Sequence, residues 1–306
     1  MHAPSVFNTQ PWRWRVVDET LELLPEADRR LPVIDPDGRL MMLSCGAALH
    51  HARIALAAAG WRTEVDRDAD STGPIARIHL AGQADPDQWT QRLFAAITQR
   101  RTDRRSFGER QVAPEILDTL RSVVEAEDSY LHYVRRDQMP LLATSTARAA
   151  ADELDDPAYR AELQAWTNRK AGSGDGVPVT TAVRPAPRRV PIRNYAPGGS
   201  AGLPAGDGFD IGASFAILFG ATDDPPGWLR GGEALSALLL TATADGLATA
   251  PLSDAIELEW PRQLMHDLLA EVGAPYLVIR LGYSDSTEEL PPAPRRAAAD
   301  VIECSE

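Results

Sequence analysis

CGAALHHARIALAAAG, residues 45–60, and GGEALSALLLTATADG, residues 231–246, are two Ala-rich stretches of equal length. In both, a glycine at the second position is followed 14 residues later by the closing glycine. Each stretch lies between strand-like runs, and PIARIHLAG at 74–82 resembles PYLVIRLGY at 275–283. Helices of this composition commonly end in glycine, which leaves coincidence as the alternative. We interpret the pattern as an internal repeat, which predicts two related α+β halves.

Periodicity predicts the remaining elements. Alternating or continuous apolar runs indicate strands at 12–17, 21–24, 75–80, 130–134, 215–220 and 276–281. Helical spacing indicates helices at 45–59, with Ser44 as the N-cap, and at 85–99, 114–126, 138–152, 157–168, 232–245 and 261–272. These elements predict an N-terminal half at 1–84 and a C-terminal half at 85–306.

The segment 171–208 interrupts the second half. It is crowded with glycine and proline, and it includes RPAPRRVPIRNYAPGG at 184–199, which excludes regular structure. Four arginines of the segment carry positive charge that can cover an anionic ligand; they are Arg184, Arg188, Arg189 and Arg193. We therefore expect a linker or a lid.

Composition narrows the class of partner. The formal charge is −13 and the isoelectric point is near 5.0, so the summed field repels nucleic acid and anionic lipid. The longest uncharged apolar stretch is Ala234–Ala244, which is short for a membrane helix. The first residues show no secretory signal, and two cysteines are too few for a metal cluster. We expect a cytoplasmic protein with no membrane and no nucleic-acid partner.

Four short segments carry candidate chemistry, and each also has an ordinary structural interpretation. Ala3–Trp12 offers short polar side chains between two prolines, or is a polar loop entering a strand. Arg100–Arg105 suits phosphate, or is a solvated basic helix end. Gly246–Ser253 brings backbone close to a ligand, or is a helix C-cap entering a strand. Pro294–Arg296 is a second basic pair or a solvated tail.

Together and in this order, these segments resemble the FMN-dependent nitroreductase family, and most closely its mycobacterial-type Acg-like subgroup. APSVFNTQPW is similar to the family's PSxxNxQPW, RRTDRRSF to RRSxRxF, GLATAPLS to GLgxxP, and PRR to its C-terminal basic residues. The resemblance covers nearly the whole chain. It implies a nitroreductase-like α+β fold with antiparallel-type sheets, in which the two halves form an intrachain pseudo-dimer around one flavin site.

The resemblance also implies a set of FMN-binding residues. Arg100, Thr102 and Arg104, with Arg295 or Arg296, would hold the ribityl phosphate and the pyrimidine side. Ser5, Asn8, Gln10 and Trp12 belong to the loop that reaches the flavin from the other half. Pro251, Leu252 and Ser253 would lie beside the ring. No catalytic side chain and no metal are expected, because the flavin carries the hydride chemistry.

Two departures from the family pattern stand out. Phe7 occupies the position where the subgroup usually has histidine. The chain also begins at the loop motif, so we expect the helix that normally precedes it to be absent, which would expose core and weaken the site. Elsewhere, His50 and His51 are adjacent on a predicted helix and point in different directions, which argues against a metal pair.

Two functions follow from the resemblance. The first is an oxidoreductase in which NAD(P)H passes hydride to FMN and the flavin reduces a nitroaromatic or quinone acceptor. The alternative is a protein that stores or sequesters flavin under the lid at 171–208. Because the two halves already supply the pairing of a homodimer, a monomer and a homodimer both stay open.

Overall fold

The computed structural model describes residues 1–69, 72–167, 169–170, 172–184, 186–195 and 201–304. The strands are β1 (Trp12–Val17), β2 (Thr20–Pro25), β3 (Trp61–Arg67), β4 (Ala76–Gln83), β5 (Tyr130–Tyr133), β6 (Ser214–Gly220), β7 (Ala248–Leu252), β8 (Ala274–Gly282) and β9 (Ile302–Cys304). The helices are α1 (Arg39–Ala58), α2 (Gln88–Gln99), α3 (Pro114–Glu125), α4 (Met139–Asp155), α5 (Pro157–Trp166), α6 (Pro225–Ala244), α7 (Asp254–Glu257) and α8 (Glu259–Leu268). The predicted α+β class is confirmed.

The strands form two sheets. The first has the order β3-β4-β2-β1-β9, and the second has the order β5-β6-β8-β7. Every strand pairing described is antiparallel except β1 with β9, which is parallel. The first sheet is therefore mixed rather than purely antiparallel, and its last strand comes from the C-terminus of the chain.

The two sheets repeat one topology. Along the chain the first half runs β1, β2, α1, β3, β4, and the second runs β5, β6, α6, β7, β8. With these elements matched in order, the four strands of each half lie in the same spatial sequence. The second half additionally carries α4, α5 and the irregular segment between β5 and β6. On the basis of this shared topology, we propose that the N-terminal half ends at residue 84 and the C-terminal half begins at residue 85. Strand β9 belongs to the C-terminal half in sequence but joins the sheet of the N-terminal half.

The two matched helices pack directly against each other. A Cβ atom added to Gly46 of α1 would lie 2.0 Å from the carbonyl oxygen of Leu229 and 2.9 Å from the Cα of Gly232 in α6. A Cβ added to Gly232 would lie 2.1 Å from the carbonyl oxygen of Leu43. Equivalent glycines of the sequence repeat thus meet at one crossing point, where only glycine allows the backbones to approach this closely.

Some helix boundaries differ from the sequence prediction. Ser44 is not an N-cap, because α1 begins five residues earlier and the Ser44 hydroxyl donates to the Leu40 carbonyl inside the helix. The buried Asp35 carboxylate accepts from the backbone amides of Leu40 and Met41 at 3.0 and 2.9 Å and satisfies the helix start. Helix α6 also begins earlier, strands β3 and β9 were not predicted, and β7 was given only as the alternative interpretation of Gly246–Ser253.

Helix α1 is central to the core. By length and mean hydropathy it is the one helix in the described residues that meets the criteria for a membrane span, which corrects the sequence estimate based on uncharged runs alone. Its apolar window is 61% buried inside the protein, and it packs on α6 in the main cluster of buried side chains. A core helix of this kind satisfies the same criteria.

Candidate functional site

A cleft lies where the N-terminal loop, the arginine-rich stretch after α2 and the C-terminal segment meet. We call it the arginine cleft, and it encloses about 780 Å³ of empty space including its opening to solvent. Its lining consists of His2, Pro4, Ser5, Asn8, Arg100, Arg101, Thr102, Arg104, Gly176, Val177, Pro178, Thr181, Leu290, Pro291, Pro292, Ala293 and Arg295. Among the residues that the structure describes, four arginines and no carboxylate line this space.

The four arginines lack acidic partners. Among the described residues, no ion pair involves Arg100, Arg101, Arg104 or Arg295, whereas most buried arginines elsewhere in the chain pair with Asp or Glu. The chain as a whole carries 13 more formal negative than positive charges, so partners are plentiful. A carboxylate-free cluster of guanidinium groups is suited to bind a polyanionic group such as phosphate.

Arg100 is the most buried member of the cluster. It is 5% exposed, and its Nε and Nη1 atoms have no hydrogen-bond partner among the described residues. Burial first, and then Arg295, Arg101 and Arg104, lower its pKa to about 9, so it stays charged at neutral pH. A buried charged donor without a partner is costly, and an anion in the cleft would satisfy it.

Asn8 connects three segments at the edge of the cleft. Its Nδ2 donates to the carbonyl oxygens of Gly176 and Pro294 at 3.1 and 3.0 Å. Its Oδ1 accepts from Nη1 of Arg295 at 3.1 Å, while the same nitrogen donates to the Ala3 carbonyl at 2.9 Å. Asn8 therefore positions Arg295, and its own side chain is occupied by these bonds.

The loop that carries Asn8 has an uncommon backbone. Phe7, Asn8 and Gln10 have φ angles of 45, 55 and 51°, in the left-handed region that side chains other than glycine rarely adopt. The hydroxyl of Ser5 accepts from the Gln10 amide at 2.9 Å and helps to fix this conformation. Backbone strain of this kind persists where the surrounding structure holds it, and it clusters at ligand sites.

A second space adjoins the arginine cleft. This apolar cavity encloses about 590 Å³, and its lining consists of Pro4, Ser5, Val6, Phe7, Leu40, Leu43, Ser44, Thr102, Arg104, Tyr195, Leu235, Pro251, Ser253 and Leu277. It shares four lining residues with the arginine cleft, namely Pro4, Ser5, Thr102 and Arg104. A cationic end and an apolar end thus lie side by side, with side chains from both halves of the chain.

Most of the predicted site residues lie at these two spaces. Ser5, Asn8, Arg100, Thr102, Arg104 and Arg295 line the arginine cleft, and Pro251 and Ser253 line the apolar cavity. Arg100 and Asn8 thus line one shared space. Leu252 is buried and lines a smaller neighbouring cavity.

Besides Leu252, three further predicted residues line neither space. Trp12 is fully buried in the core. Gln10 donates to the Gly174 carbonyl at 2.8 Å, and its Oε1 accepts from the Arg296 amide at 3.1 Å. Arg296 forms an ion pair with Glu26. These residues hold the loop and the C-terminal segment together, so of the two C-terminal arginines it is Arg295 that faces the cleft.

Several lining residues were not predicted, among them Arg101, His2 and Tyr195. Arg101 lies inside the recognised arginine stretch, and His2 directly precedes the loop motif. Tyr195 comes from the irregular segment, where no local pattern marks it. The Arg104 guanidinium lies 4.2 Å from the centre of the Tyr195 ring, and the Phe7 and Tyr195 ring centres are 6.0 Å apart. These contacts close one side of the apolar cavity.

The arginines of the expected lid do not face the cleft. Arg193 is buried between Glu153 and Glu257, while Arg184 and Arg189 are exposed and Arg188 donates to the Ala205 carbonyl. The segment instead reaches the arginine cleft through residues of the stretch Gly176–Thr181, and it reaches the apolar cavity through Tyr195. Within the segment, residues 171, 185 and 196–200 lie outside the described residues.

The adjacent histidines are structural. Nδ1 of His50 and Nδ1 of His51 both lie 2.8 Å from the Ser236 hydroxyl of α6. Burial lowers the pKa of both imidazoles, which are therefore neutral at physiological pH. No cluster of three metal-ligating side chains occurs in the part of the chain that the structure describes.

Known proteins resemble this chain along its whole length, although no family model matches it. Two Mycobacterium tuberculosis H37Rv proteins carry the name "Putative NAD(P)H nitroreductase". Rv3131 is 38% identical over 100% of this chain and 89% of its own length. The protein acg is 36% identical over 98% of this chain and 92% of its own length. A third relative, named "Uncharacterized protein Rv3127", is 32% identical over 98% of this chain and 90% of its own length.

Solved structures show weaker likeness. The FMN-dependent nitroreductase NfnB from Mycobacterium smegmatis, solved with NADPH, is 17% identical over 72% of this chain and 100% of its own, with a TM-score of 0.46. A Bacteroides fragilis nitroreductase with bound FMN is 14% identical over 67% of this chain and 95% of its own, with a TM-score of 0.43. The sequence relatives carry the assignment, since they align from end to end. The chain therefore belongs to the nitroreductase family, in the group that contains Rv3131 and acg.

Proposed function

We propose that this protein binds one FMN, with the phosphate in the arginine cleft and the ring system in the apolar cavity. The observation that carries the proposal is the buried Arg100, whose unpartnered guanidinium nitrogens lie in a cluster of four arginines without a carboxylate. The adjoining cavity supplies the apolar walls that a flat heteroaromatic ring requires. The relatives Rv3131 and acg carry the name "Putative NAD(P)H nitroreductase", which fits this cofactor.

We propose further that the protein is an NAD(P)H-dependent oxidoreductase. When bound, FMN supplies the hydride chemistry, accepting from a nicotinamide and reducing a nitroaromatic or quinone acceptor. Arg100 and Arg295 would anchor the phosphate, while Thr102 and Arg104, which line both spaces, would adjoin the polar part of the ring. Pro251 and Ser253 would hold the ring from the side of β7.

Anaerobic reduction tests the proposal. The FMN-loaded protein is mixed with NADPH or NADH, and the visible flavin absorbance is followed. Rapid bleaching, followed by recovery on addition of a nitroaromatic or quinone, is the expected result. Retention of yellow flavin through dialysis without bleaching would contradict a reductase, and failure of the colourless protein to take up FMN would contradict both the cofactor and the activity.

Flavin storage is the second candidate. The irregular segment favours it, because Gly176–Thr181 and Tyr195 line the two spaces that the flavin would occupy. A segment held there would exclude the nicotinamide from the ring. The same anaerobic experiment separates the two functions, since storage predicts bound flavin that reduced nicotinamide cannot bleach but that dithionite can.

The remaining partner predictions follow from the same architecture. Because each half contributes side chains to the two spaces, one chain supplies a whole site, and we propose a protein that works as a monomer or a homodimer. We also propose a cytoplasmic location. The free thiols of buried Cys45 and exposed Cys304 are compatible with a reducing compartment.

A further inference from the structure

A third, smaller cavity opens beside the apolar cavity. This side cavity encloses about 270 Å³ including its mouth, and its lining consists of Arg104, Ile192, Arg193, Tyr195, Ala250, Pro251, Leu252 and Asp254. It shares Arg104, Tyr195 and Pro251 with the apolar cavity. Asp254 therefore lines a cavity that shares three wall residues with the space proposed for the flavin ring.

Asp254 is a buried carboxylic acid. It is 2% exposed, and its Oδ1 accepts from the Ala255 amide at 3.1 Å. Burial, which is the largest influence, raises the pKa of this carboxyl to about 6, and the nearby Glu257 raises it further while Arg193 lowers it. The carboxyl can therefore take up and release a proton close to neutral pH.

Asp254 borders a group of other charged side chains. Arg193 donates to Glu257 at 2.7 and 3.0 Å and to Glu153 at 3.2 Å, and the Tyr159 hydroxyl donates to Glu257 at 2.6 Å. Burial raises the pKa of Glu153 to about 8. Three buried carboxyl groups surround one guanidinium, so the cluster retains a proton at neutral pH that can replace one lost from Asp254.

Among the described residues, no carboxylic acid lines the apolar cavity itself. Its lining residues include no Asp, Glu, His or Cys, and the ionisable side chains there are Arg104 and Tyr195. Asp254 is thus the carboxyl group placed to serve a reaction in that cavity.

We propose that Asp254 delivers a proton, through the side cavity, to the acceptor that is reduced in the apolar cavity. The inference rests on the proposed function. A quinone gains a hydride, with its two electrons, from the reduced cofactor and one proton from Asp254, which together form the hydroquinone. The O–H bond of the Asp254 carboxyl breaks, one O–H bond of the product forms from its proton, and the carboxylate is reprotonated from the Glu153–Glu257 cluster or from solvent.

The test separates the two half-reactions in stopped flow. D254N removes the proton, D254E restores a carboxyl group, and E259Q alters an exposed carboxylate five residues away as the matched control. With NADPH as reductant and 1,4-benzoquinone as acceptor, we expect D254N to slow acceptor reduction by about 100-fold, the range of general acid catalysis. FMN affinity and the rate of flavin reduction should stay within about twofold of wild type. D254E should recover most of the rate.

The pH dependence of acceptor reduction distinguishes proton delivery from a purely structural role of Asp254, because a structural role would leave this dependence unchanged. In wild type the rate of acceptor reduction should fall as pH rises through about 6, and in D254N this decline should disappear. Infrared difference spectra of the flavin-free protein, recorded at about pH 5 and about pH 8, should show a carboxyl band that is lost in D254N and kept in E259Q.

Each outcome decides between the two proposals. Equal slowing of both half-reactions, or a D254N profile that keeps the wild-type pH dependence, would overturn proton delivery by Asp254 and leave the flavin function standing. Unchanged acceptor reduction in D254N would do the same. If wild-type protein binds no FMN, the proposed function itself fails, and the flavin titration shows this before any variant is compared.

Discussion

Arg100 and Arg193 are both almost fully buried arginines, yet their surroundings are opposite. Arg193 lies between Glu153 and Glu257, and its guanidinium donates to both carboxylates. Arg100 has other arginines as its charged neighbours, and two of its nitrogens have no partner among the described residues. The charge of Arg193 is paired with carboxyl groups within the protein, whereas Arg100 has no ion-pair partner among the described residues. Burial of a positive charge therefore indicates a binding site only where acidic partners are missing.

The largest expected effect is the loss of the paired arginine. In R193M, Glu153 and Glu257 stay buried without a cation, and removal of one partner of a buried ion pair costs about 3–5 kcal/mol of unfolding free energy. Urea unfolding of the flavin-free protein measures it. The exposed Arg189, from the same irregular segment, gives R189M as the control, with a change below about 0.5 kcal/mol. A similarly small change in R193M would show that the pair does not stabilise the fold.

Substitution of Arg100 should affect ligand binding rather than the unfolding free energy. R100M removes a buried charge that has no partner, so the unfolding free energy without ligand should stay equal or increase. FMN affinity should fall by about 10- to 100-fold, because a hydrogen bond to a charged group contributes about 1.5–3 kcal/mol. Fluorescence titration of FMN measures this loss, again with R189M for comparison. Destabilisation of R100M as large as that of R193M would remove the contrast between the two arginines.

Inorganic phosphate should distinguish Arg100 from Arg193 through a smaller change, in the thermal stability of the flavin-free protein. An anion that binds only the folded protein stabilises it by about 1.4 kcal/mol at roughly ten times its dissociation constant. We expect phosphate to raise the melting temperature of flavin-free wild type and of R193M, measured at constant ionic strength. R100M should lose this response. An equal shift in R100M would indicate that phosphate acts elsewhere on the molecule.

The pH dependence of stability gives the smallest effect. Burial raises the pKa of Glu153 to about 8, above the 4.5 of an unperturbed glutamate, so the folded state holds a proton that the unfolded state has released. This contribution is complete below about pH 4.5 and is lost as pH rises through about 8. Between about pH 6 and 7, wild type should lose about 1 kcal/mol more than E153Q. Parallel curves in urea unfolding would show that Glu153 is ionised in the folded protein.

Local sequence signals marked the segments that line the arginine cleft, but they did not mark the tertiary contacts of the individual residues. The arginine stretch 100–105 was visible as a dense basic run, and the loop 3–12 as a polar segment. No local signal distinguished Arg295, which faces the cleft, from Arg296, which pairs with Glu26 far away in the chain. The distinction depends on tertiary contacts that a single sequence does not contain.

The same reasoning explains the errors in the fold. Helices α1 and α6 were predicted because the spacing of glycine and apolar residues within each helix is a local pattern. The shared strand order of the two halves supports the interpretation as a repeat. The start of α1 was wrong because the cap comes from Asp35, several residues before the helix. Tyr195 and Asp254 could not be recognised as neighbours of one cavity, because segments distant in sequence bring them together.

Comparison of FMN with riboflavin tests the central claim most directly, because the two ligands differ only in the phosphate. Titration of wild-type protein should show one FMN per chain, bound at least about 100-fold more tightly than riboflavin, and R100M should lose most of this difference. Equal affinity of wild type for the two ligands would contradict the account, because the unpaired arginines would then not bind the phosphate.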